Sequence, residues 1–266
     1  MIWKKLVDYY KIKINKQIEN FLNQHNIFFI KDKKRIYRVF KEYFIHVSPK
    51  LIHGGGIYIE EYCRFLTHLH KMGSFSYTGS ILPAYVNIGR YCSIASHVSL
   101  FATQHPLSRI STASFTYEKN HLFINNASID KIGKCFPTKD YNPSSSIEKL
   151  NIENDVWIGK DALLKQGITL GNGCVVGQRA IVTKDVPPYA IVAGSPAKII
   201  RYRFDPKTIE RLLKIQWWNY HFADFHDIDL NLDINRYLDI LENKIYKNKI
   251  QKYVSNKIFL KDIINY

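Results

Sequence analysis

Residues 152–186 read IENDVWIGKDALLKQGITLGNGCVVGQRAIVTKDV, and an aliphatic residue recurs in them at every sixth position. The recurring residues are Ile152, Ile158, Leu164, Leu170, Val176 and Val182. Four residues after each stands a second small or aliphatic residue: Val156, Ala162, Ile168, Cys174, Ala180 and Val186. Six steps along an α-helix rotate by about 600°, and an amphipathic strand alternates every two residues, so neither explains this spacing. The pattern predicts short strands separated by tight turns, which form the walls of a coil with a narrow aliphatic core.

The same period occurs earlier in the chain and is then interrupted. The earlier aliphatic positions are Leu82, Ile88, Ile94 and Leu100. The interval from Leu100 to Ile152 is not a multiple of six, so we expect residues 101–150 to leave the coil as a long inserted loop. Long ordered loops on a rigid scaffold are where function tends to reside.

Helical patterns flank the coil region on both sides. Before it, apolar residues recur every four positions from Leu6 to Leu22, and again over residues 36–45, until Gly54-Gly55-Gly56 breaks the pattern. After it, Asp205-Pro206 is a favourable helix start that precedes two further apolar stripes. We therefore predict three parts: a basic helical extension over 1–50, a coil domain over 51–200 and a helical segment over 201–266.

Composition and charge exclude several classes of protein. The 266 residues carry a net charge of +15, and 12 Lys and Arg against 4 Asp and Glu fall within residues 1–50. A basic extension of this kind is either a solvated helical face or a means of peripheral association with a membrane or an anionic polymer. No nucleic-acid motif accompanies it, so a nucleic-acid partner is not expected. Neither a secretory signal nor a membrane span is apparent, and we expect a cytoplasmic protein.

Three motifs carry a resemblance to a known family. They are Val156-Trp157-Ile158-Gly159, the run from Val182 to Pro187, and Val192-Ala193-Gly194-Ser195-Pro196-Ala197-Lys198. With Gly177, they resemble the hexapeptide-repeat acyltransferases, and within these the xenobiotic acetyltransferases and related sugar O-acetyltransferases. The resemblance covers about residues 72–220. It implies a mainly β fold, a left-handed parallel β-helix with three hexapeptides per coil, here with an inserted loop and flanking helical segments. It also implies a homotrimer that uses acetyl-coenzyme A.

Acetyl transfer from a thioester to a hydroxyl needs a general base, and histidine suits this task at neutral pH. His105 stands in Gln104-His105-Pro106, where the coil gives way to the loop. In the resembling family the catalytic histidine lies on such a loop, and Ser111-Thr112 matches a Ser-Thr pair of the xenobiotic branch. The resemblance therefore implies that His105 is the base.

The sequence departs from the family pattern in one position near this histidine. Related motifs carry an acidic residue three positions after it, and here that residue is Ser108. A carboxylate partner must come from elsewhere, or a backbone carbonyl must orient the ring. His121 is the second candidate base, whereas His97 lies within a coil and is interpreted as structural.

Coenzyme A carries phosphates, so a basic clamp is expected. Lys184, Lys198 and Arg201 fit that role by position. The resemblance further implies that the pantetheine arm lies along the coils at Ala162, Gly177, Ala180 and Thr183, although small residues also suit coil corners. We assign the acceptor pocket to three aromatic residues, Phe115, Tyr117 and Trp157; for Trp157 a plain packing role is the alternative.

Other functions remain open beside the preferred one. The same β-helix hosts zinc-dependent carbonic anhydrases, but their five-residue His–His spacing is missing here, and the four scattered cysteines give no metal-binding pair. We therefore predict no metal. The preferred acceptor is a sugar hydroxyl of a surface polysaccharide, in a capsule or a lipopolysaccharide. The alternatives are N-acetylation of a nucleotide-linked amino sugar, O-acetylation of an antibiotic, and a non-enzymatic carbohydrate-binding scaffold.

Overall fold

The computed structural model describes residues 10–13, 15–29, 44–47, 58–66, 68–83, 85–101, 105–141, 149–259 and 262–263. The chain divides into two compact units. Unit 1 contains Met1–Leu100 and Lys149–Tyr266, and unit 2 contains Phe101–Glu148. Unit 2 is thus a single insertion in the sequence of unit 1.

The described N-terminal residues are only partly helical, which corrects the prediction of a helical extension. Their elements are strand β1 Tyr10–Lys13, helix α1 Lys16–Gln24, strand β2 Ile27–Phe29 and strand β3 Phe44–Val47. The β1 strand pairs antiparallel with β3, a distant contact that a local four-residue pattern does not reveal. Asn15 starts α1, because its side chain accepts a hydrogen bond from the Ile18 amide. Leu6, Ile14, residues 36–43 and the glycine triplet lie outside the described residues.

The following strands are short and build the coils. They are β4 Tyr58–Glu60, β5 Cys63–Phe65, β6 Tyr77–Thr78, β7 Val86–Ile88, β8 Ser93–Ile94, β9 Ser99–Leu100, β10 Leu150–Ile152, β11 Trp157–Ile158, β12 Leu163–Leu164, β13 Thr169–Leu170, β14 Val175–Val176, β15 Ile181–Val182, β16 Ala190–Gly194 and β17 Ala197–Tyr202. The coils end at an antiparallel hairpin of β16 and β17.

Three sheets form the faces of the coil, and all their strand pairs are parallel except β16 and β17. One face contains β7, β10 and β13, another contains β9, β12 and β15, and the largest runs β2-β5-β6-β8-β11-β14-β16-β17. Ile152 pairs with Leu170, Ile158 with Val176, and Leu164 with Val182, one pair on each face. Each turn of the chain therefore takes three six-residue repeats, and a parallel β-helix with three hexapeptides per coil is confirmed.

Each position of the six-residue repeat has its own structural role. The two inward positions of every repeat in residues 152–186 are at most 4% exposed and form the core. The residue before the second inward position turns the corner with a left-handed backbone. These corner residues are Asp155, Asp161, Gly167, Gly173 and Arg179, with φ between 57° and 78°. Gly159 is needed because a Cβ there would lie 2.6 Å from the amide nitrogen of Gln178 in the next coil.

Unit 2 is mostly irregular. It contains a 3-10 turn at Ser114–Thr116 and helix α2 at Leu122–Ile132, which ends at Gly133 with a left-handed φ of 70°. Buried Thr138 donates its hydroxyl proton to the carbonyl of Phe115, so the segment after α2 is tied to the 3-10 turn.

The C-terminal part of unit 1 is helical at first and returns to strand at its end. Helix α3 spans Pro206–Ile215 and helix α4 spans Ile234–Tyr246. Asp205 caps α3 by accepting hydrogen bonds from the amides of Lys207 and Thr208. Strand β18, Lys257–Phe259, pairs antiparallel with β4, so the predicted helical segment over 201–266 also contains strand. Among the described residues, no helix has the length and apolar character that crossing a membrane requires.

Candidate active site

The histidine predicted as the base is oriented by a backbone carbonyl of unit 2. The Nδ1 atom of His105 lies 2.8 Å from the carbonyl oxygen of Thr112. A carbonyl oxygen only accepts hydrogen bonds, so Nδ1 carries the proton in this arrangement and Nε2 of the neutral ring keeps its lone pair. The side chain is exposed. This is the protonation form that a general base at Nε2 requires.

Tyr117 lies beside the same imidazole. Its hydroxyl is 3.3 Å from Nδ1 of His105, and the two ring centroids are 5.0 Å apart. The structure therefore brings together the predicted base and one of the predicted acceptor-binding residues. Within residues 105–141, no carboxylate is paired with His105, and a carbonyl takes the orienting role that the family pattern gives to an acidic residue.

Arg109, which no sequence motif marks, holds this part of unit 2 together. Its guanidinium donates hydrogen bonds to the carbonyl oxygens of Thr116 and Lys139, and to that of Asp140 at 3.4 Å. The same group lies 5.3 Å from the ring centroid of Tyr141. An arginine in an irregular loop carries no sequence signal for such bonds, because its partners are backbone groups, and those of Lys139 and Asp140 lie 30 and 31 residues away.

The other two histidines considered have different environments. His121 precedes α2, with its Nε2 3.8 Å from a carboxylate oxygen of Glu118 and its ring in contact with Phe123. His97 lies on a coil corner and is 70% exposed; its Nδ1 is 3.0 Å from Oδ1 of Asp161. The carboxylate partner that is missing at His105 is therefore present at His97, in unit 1.

The small residues assigned to pantetheine binding occupy the coil interior. Ala162 and Ala180 have no exposed surface, so neither their side chains nor their backbone atoms are presented to a ligand on the outer surface. Their carbonyl oxygens already accept hydrogen bonds from the amides of Ser99 and Leu163 in neighbouring strands. Gly177 lies in a tightly packed position, since a Cβ there would be 3.0 Å from that of Ala193.

The basic residues assigned to the phosphates lie near the end of the coils. Lys198 and Arg201 are exposed on β17, opposite Ala193 and Ile191 of β16. Lys184 is exposed two residues after the end of β15, next to half-buried Thr183. None of the three basic side chains has an ion pair within residues 149–259, so their charges are available to an anionic ligand.

Two exposed aromatic residues lie on the outer surface of the largest sheet, with Ser93 between them. Tyr77 pairs with Ser93, and Ser93 pairs with Trp157, so the two aromatic residues lie two strands apart. Trp157 is 58% exposed and Tyr77 is 39% exposed. The sequence analysis selected Trp157 and missed Tyr77. Phe115 belongs instead to unit 2, where it packs edge-on against Phe136 at 5.4 Å.

The cysteines are poorly placed for nucleophilic chemistry. Burial raises the pKa of Cys92 to about 12, and it also raises the pKa values of Cys63 and Cys174. Cys135 is exposed in unit 2. The described residues contain no group of three or more His, Cys, Asp or Glu side chains that could hold a metal ion.

Comparison with known proteins identifies the family. No family model matches the chain. A chloramphenicol acetyltransferase from Agrobacterium fabrum (strain C58 / ATCC 33970) is 41% identical over 136 residues, which cover 50% of this chain and 59% of that protein. A probable macrolide acetyltransferase from Lysinibacillus sphaericus is 34% identical over 149 residues, or 55% of this chain and 74% of that protein.

The chain also has similarity to a solved structure. The crystal structure of a hexapeptide-repeat-containing acetyltransferase from Vibrio cholerae O1 biovar eltor has a TM-score of 0.34 and 23% identity, over 54% of this chain and 62% of that chain. The chain spans about three fifths of the length of the chloramphenicol acetyltransferase that it matches. The extended match to the macrolide acetyltransferase agrees with the motifs and the coils, and the chain belongs to the hexapeptide-repeat acetyltransferases.

Proposed function

We propose that this protein transfers an acetyl group from acetyl-coenzyme A to a hydroxyl group, with His105 as the general base. The observation that carries the proposal is the hydrogen bond from Nδ1 of His105 to the carbonyl of Thr112, which leaves Nε2 able to accept a proton. Membership of an acetyltransferase family supports the same reaction.

The proposed chemistry is a direct transfer. Nε2 takes the proton of the acceptor hydroxyl while its oxygen attacks the thioester carbon. The tetrahedral intermediate collapses, the C–S bond breaks, and the imidazolium returns the proton to the departing coenzyme A thiolate. Buried Cys92 and Cys174 supply no thiolate for an acyl-enzyme.

Coenzyme A is proposed to bind along the coils of unit 1. Lys198 and Arg201, with Lys184, would contact its phosphates through charge-assisted hydrogen bonds. The pantetheine arm would follow the outer surface near Thr183 and Gly177, and buried Ala162 and Ala180 would only support that surface from the coil interior. Exposure of the three basic side chains and their freedom from ion pairs within residues 149–259 support this assignment.

The preferred acceptor is a sugar hydroxyl of a surface polysaccharide. Trp157 and Tyr77 are both exposed on the largest sheet, where either ring could pack against a sugar, and Tyr117 adjoins His105. The net charge of +15 suits an anionic polymer. An antibiotic hydroxyl is the second candidate, because the relatives are named as chloramphenicol and macrolide acetyltransferases. The nitrogen of a nucleotide-linked amino sugar is the third.

We also propose a homotrimer with left-handed coils, the arrangement that family membership favours. Neighbouring subunits would then complete each active site. The basic N-terminal residues would allow peripheral contact with a membrane or an anionic polymer, in a cytoplasmic protein.

An acceptor panel tests the proposal. The protein is incubated with acetyl-coenzyme A and, separately, a purified capsular polysaccharide, a lipopolysaccharide, chloramphenicol, a macrolide or a nucleotide-linked amino sugar. Thiol release and mass spectrometry of each acceptor report transfer. Acetylation of a polysaccharide supports the preferred acceptor, and acetylation of an antibiotic alone replaces it with the second candidate. If coenzyme A does not bind, the carbohydrate-binding scaffold is favoured.

A further inference from the structure

A cavity of about 430 Å³ in unit 1 is separate from every residue assigned above. One wall comes from the first coils, where Ile59, Met72 and Ile88 lie side by side in parallel register. The other wall comes from the C-terminal segment at Lys252 and Tyr253. The volume is in the range of small-molecule sites, which are roughly 300–1,000 Å³.

The floor of the cavity is a fixed and neutral ion pair. Arg90 donates two hydrogen bonds to the carboxylate of Glu60, from Nε at 2.7 Å and from Nη2 at 3.0 Å. Burial alone would raise the pKa of Glu60, but the bonds from Arg90 and from the Ser74 amide hold it below its ordinary value. Arg90 is therefore occupied, and its charge is cancelled within the floor.

Two further positively charged side chains line the cavity, and neither is paired with a carboxylate among the described residues. Lys71 Nζ lies 5.4 Å from the ring centroid of Tyr58, and Lys252 is exposed at the rim. Neither lysine has an ion pair within the described residues. Since the Arg90–Glu60 pair is neutral, the lining carries two uncompensated positive charges that would attract an anion.

The C-terminal wall is anchored and does not need to form on binding. The Tyr253 hydroxyl donates to Oε1 of Glu61 at 2.6 Å, and the Tyr253 amide donates to the carbonyl of Asn219 at 2.8 Å. The Tyr253 ring also packs over the Arg90 guanidinium at 5.3 Å. A preformed wall avoids the ordering cost that weakens binding to mobile segments.

We infer that this cavity binds a small anionic sugar, a hexose that carries a carboxylate or a phosphate group. Lys71 and Lys252 hold the anionic group, and the sugar occupies the rest of the cavity, which Tyr58, Tyr253 and Asn154 line. The site is independent of acetyl transfer, so it stands or falls separately from the proposed function.

Met72 provides a local reporter of occupancy. It is fully buried against the cavity, and the chain contains only two methionines, Met1 and Met72. The full chain is labelled with ¹³C-methyl methionine, and the M72L variant assigns the signal. Titration with D-glucuronate and with glucose 6-phosphate should shift the Met72 signal saturably, and neutral D-glucose should not. The two charged probes distinguish a carboxylate from a phosphate ligand.

Charge-removing variants complete the test. The double variant K71Q/K252Q should raise the dissociation constant of the charged sugar at least tenfold. The matched double variant K207Q/K247Q changes two exposed lysines on or next to the C-terminal helices and should bind as the unaltered chain does. Unchanged melting temperatures would show that both variants are folded. The inference is overturned if neither charged sugar shifts the Met72 signal, or if glucose shifts it equally. It is also overturned if the dissociation constant of the charged sugar is the same in K71Q/K252Q as in the unaltered chain.

Discussion

His105 and Thr112 are joined by a hydrogen bond of 2.8 Å from the imidazole Nδ1 to the backbone carbonyl oxygen. This bond selects one tautomer and directs the lone pair to Nε2. Because the acceptor is a backbone atom, no side chain reveals it, and Ser108 can replace the usual acidic residue of the motif without leaving the ring unoriented.

Arg109 should matter for the integrity of unit 2. Replacing it with Met removes charge-assisted hydrogen bonds to the carbonyls of Thr116, Lys139 and Asp140, each worth roughly 1.5–3 kcal/mol. We expect faster hydrogen exchange and faster proteolysis within residues 105–141, and little change in the coils. Exchange rates in unit 2 equal to those of the unaltered protein would show that these bonds contribute little.

Lys198 and Arg201 are predicted to bind the phosphates of coenzyme A. The K198A/R201A variant should raise the dissociation constant and weaken its dependence on salt, because two charged contacts are lost. Isothermal titration calorimetry at two salt concentrations measures both effects, with K207A as the control. An unchanged titration would remove these residues from the cofactor site.

Gly159 tests the packing of the coils. An alanine Cβ would lie 2.6 Å from the Gln178 amide nitrogen, so the next coil must shift, at a cost of about 1–3 kcal/mol. In the matched variant G177A the new Cβ meets the Ala193 methyl at 3.0 Å, which a small movement relieves at lower cost. Thermal unfolding should therefore rank G159A below G177A in stability, and the reverse order would contradict the packing described.

His70 should make the fold sensitive to acid. It is fully buried with no hydrogen-bond partner for either ring nitrogen among the described residues, and burial, assisted by His68, lowers its pKa to about 3. In the unfolded chain the ordinary value is about 6.5. As the pH falls from 6.5 towards 3, the unfolded chain binds a proton that the folded chain does not, and stability is lost.

The H70L variant should flatten this dependence, whereas H226L, which changes an exposed histidine, should retain it. Urea unfolding at several pH values between 3 and 7 measures the difference. Parallel curves for H70L and the unaltered chain would contradict the assignment.

The regular part of the fold could be predicted because each repeat needs only local information. An inward aliphatic residue and a corner residue recur every six positions, as from Ile152 to Val182. The six-residue period does not extend to the first coils, where Ile59, Met72 and Ile88 pair in register although unequal numbers of residues separate them in sequence.

The secondary-structure predictions were wrong where a segment forms a strand by pairing with a segment far away in the sequence. The segment Tyr10–Lys13 fits a four-residue helical stripe, yet it pairs with β3 more than 30 residues later. Strand β18 likewise depends on β4, nearly 200 residues earlier. In the candidate site, a motif marks His105 as the predicted base. Arg109 donates to backbone carbonyl groups that no motif reveals, and Tyr77 is notable because it lies on the same sheet as Trp157.

Direct transfer predicts a ternary complex of enzyme, donor and acceptor. Double-reciprocal plots should intersect when both substrates are varied, because buried Cys63, Cys92 and Cys174 do not form a thiolate at neutral pH. Parallel lines, with a protein adduct of about +42 Da trapped in the absence of acceptor, would establish an acyl-enzyme instead.

The most direct test is the turnover number of H105A with the acceptor that the panel identifies. Loss of a positioned base should lower kcat by roughly 10²–10⁴, with little change in the dissociation constant of coenzyme A. The control H121A should retain most of its activity. Turnover of H105A within a few-fold of the unaltered protein, together with a large loss in H121A, would contradict the assignment of His105 and transfer the role to His121.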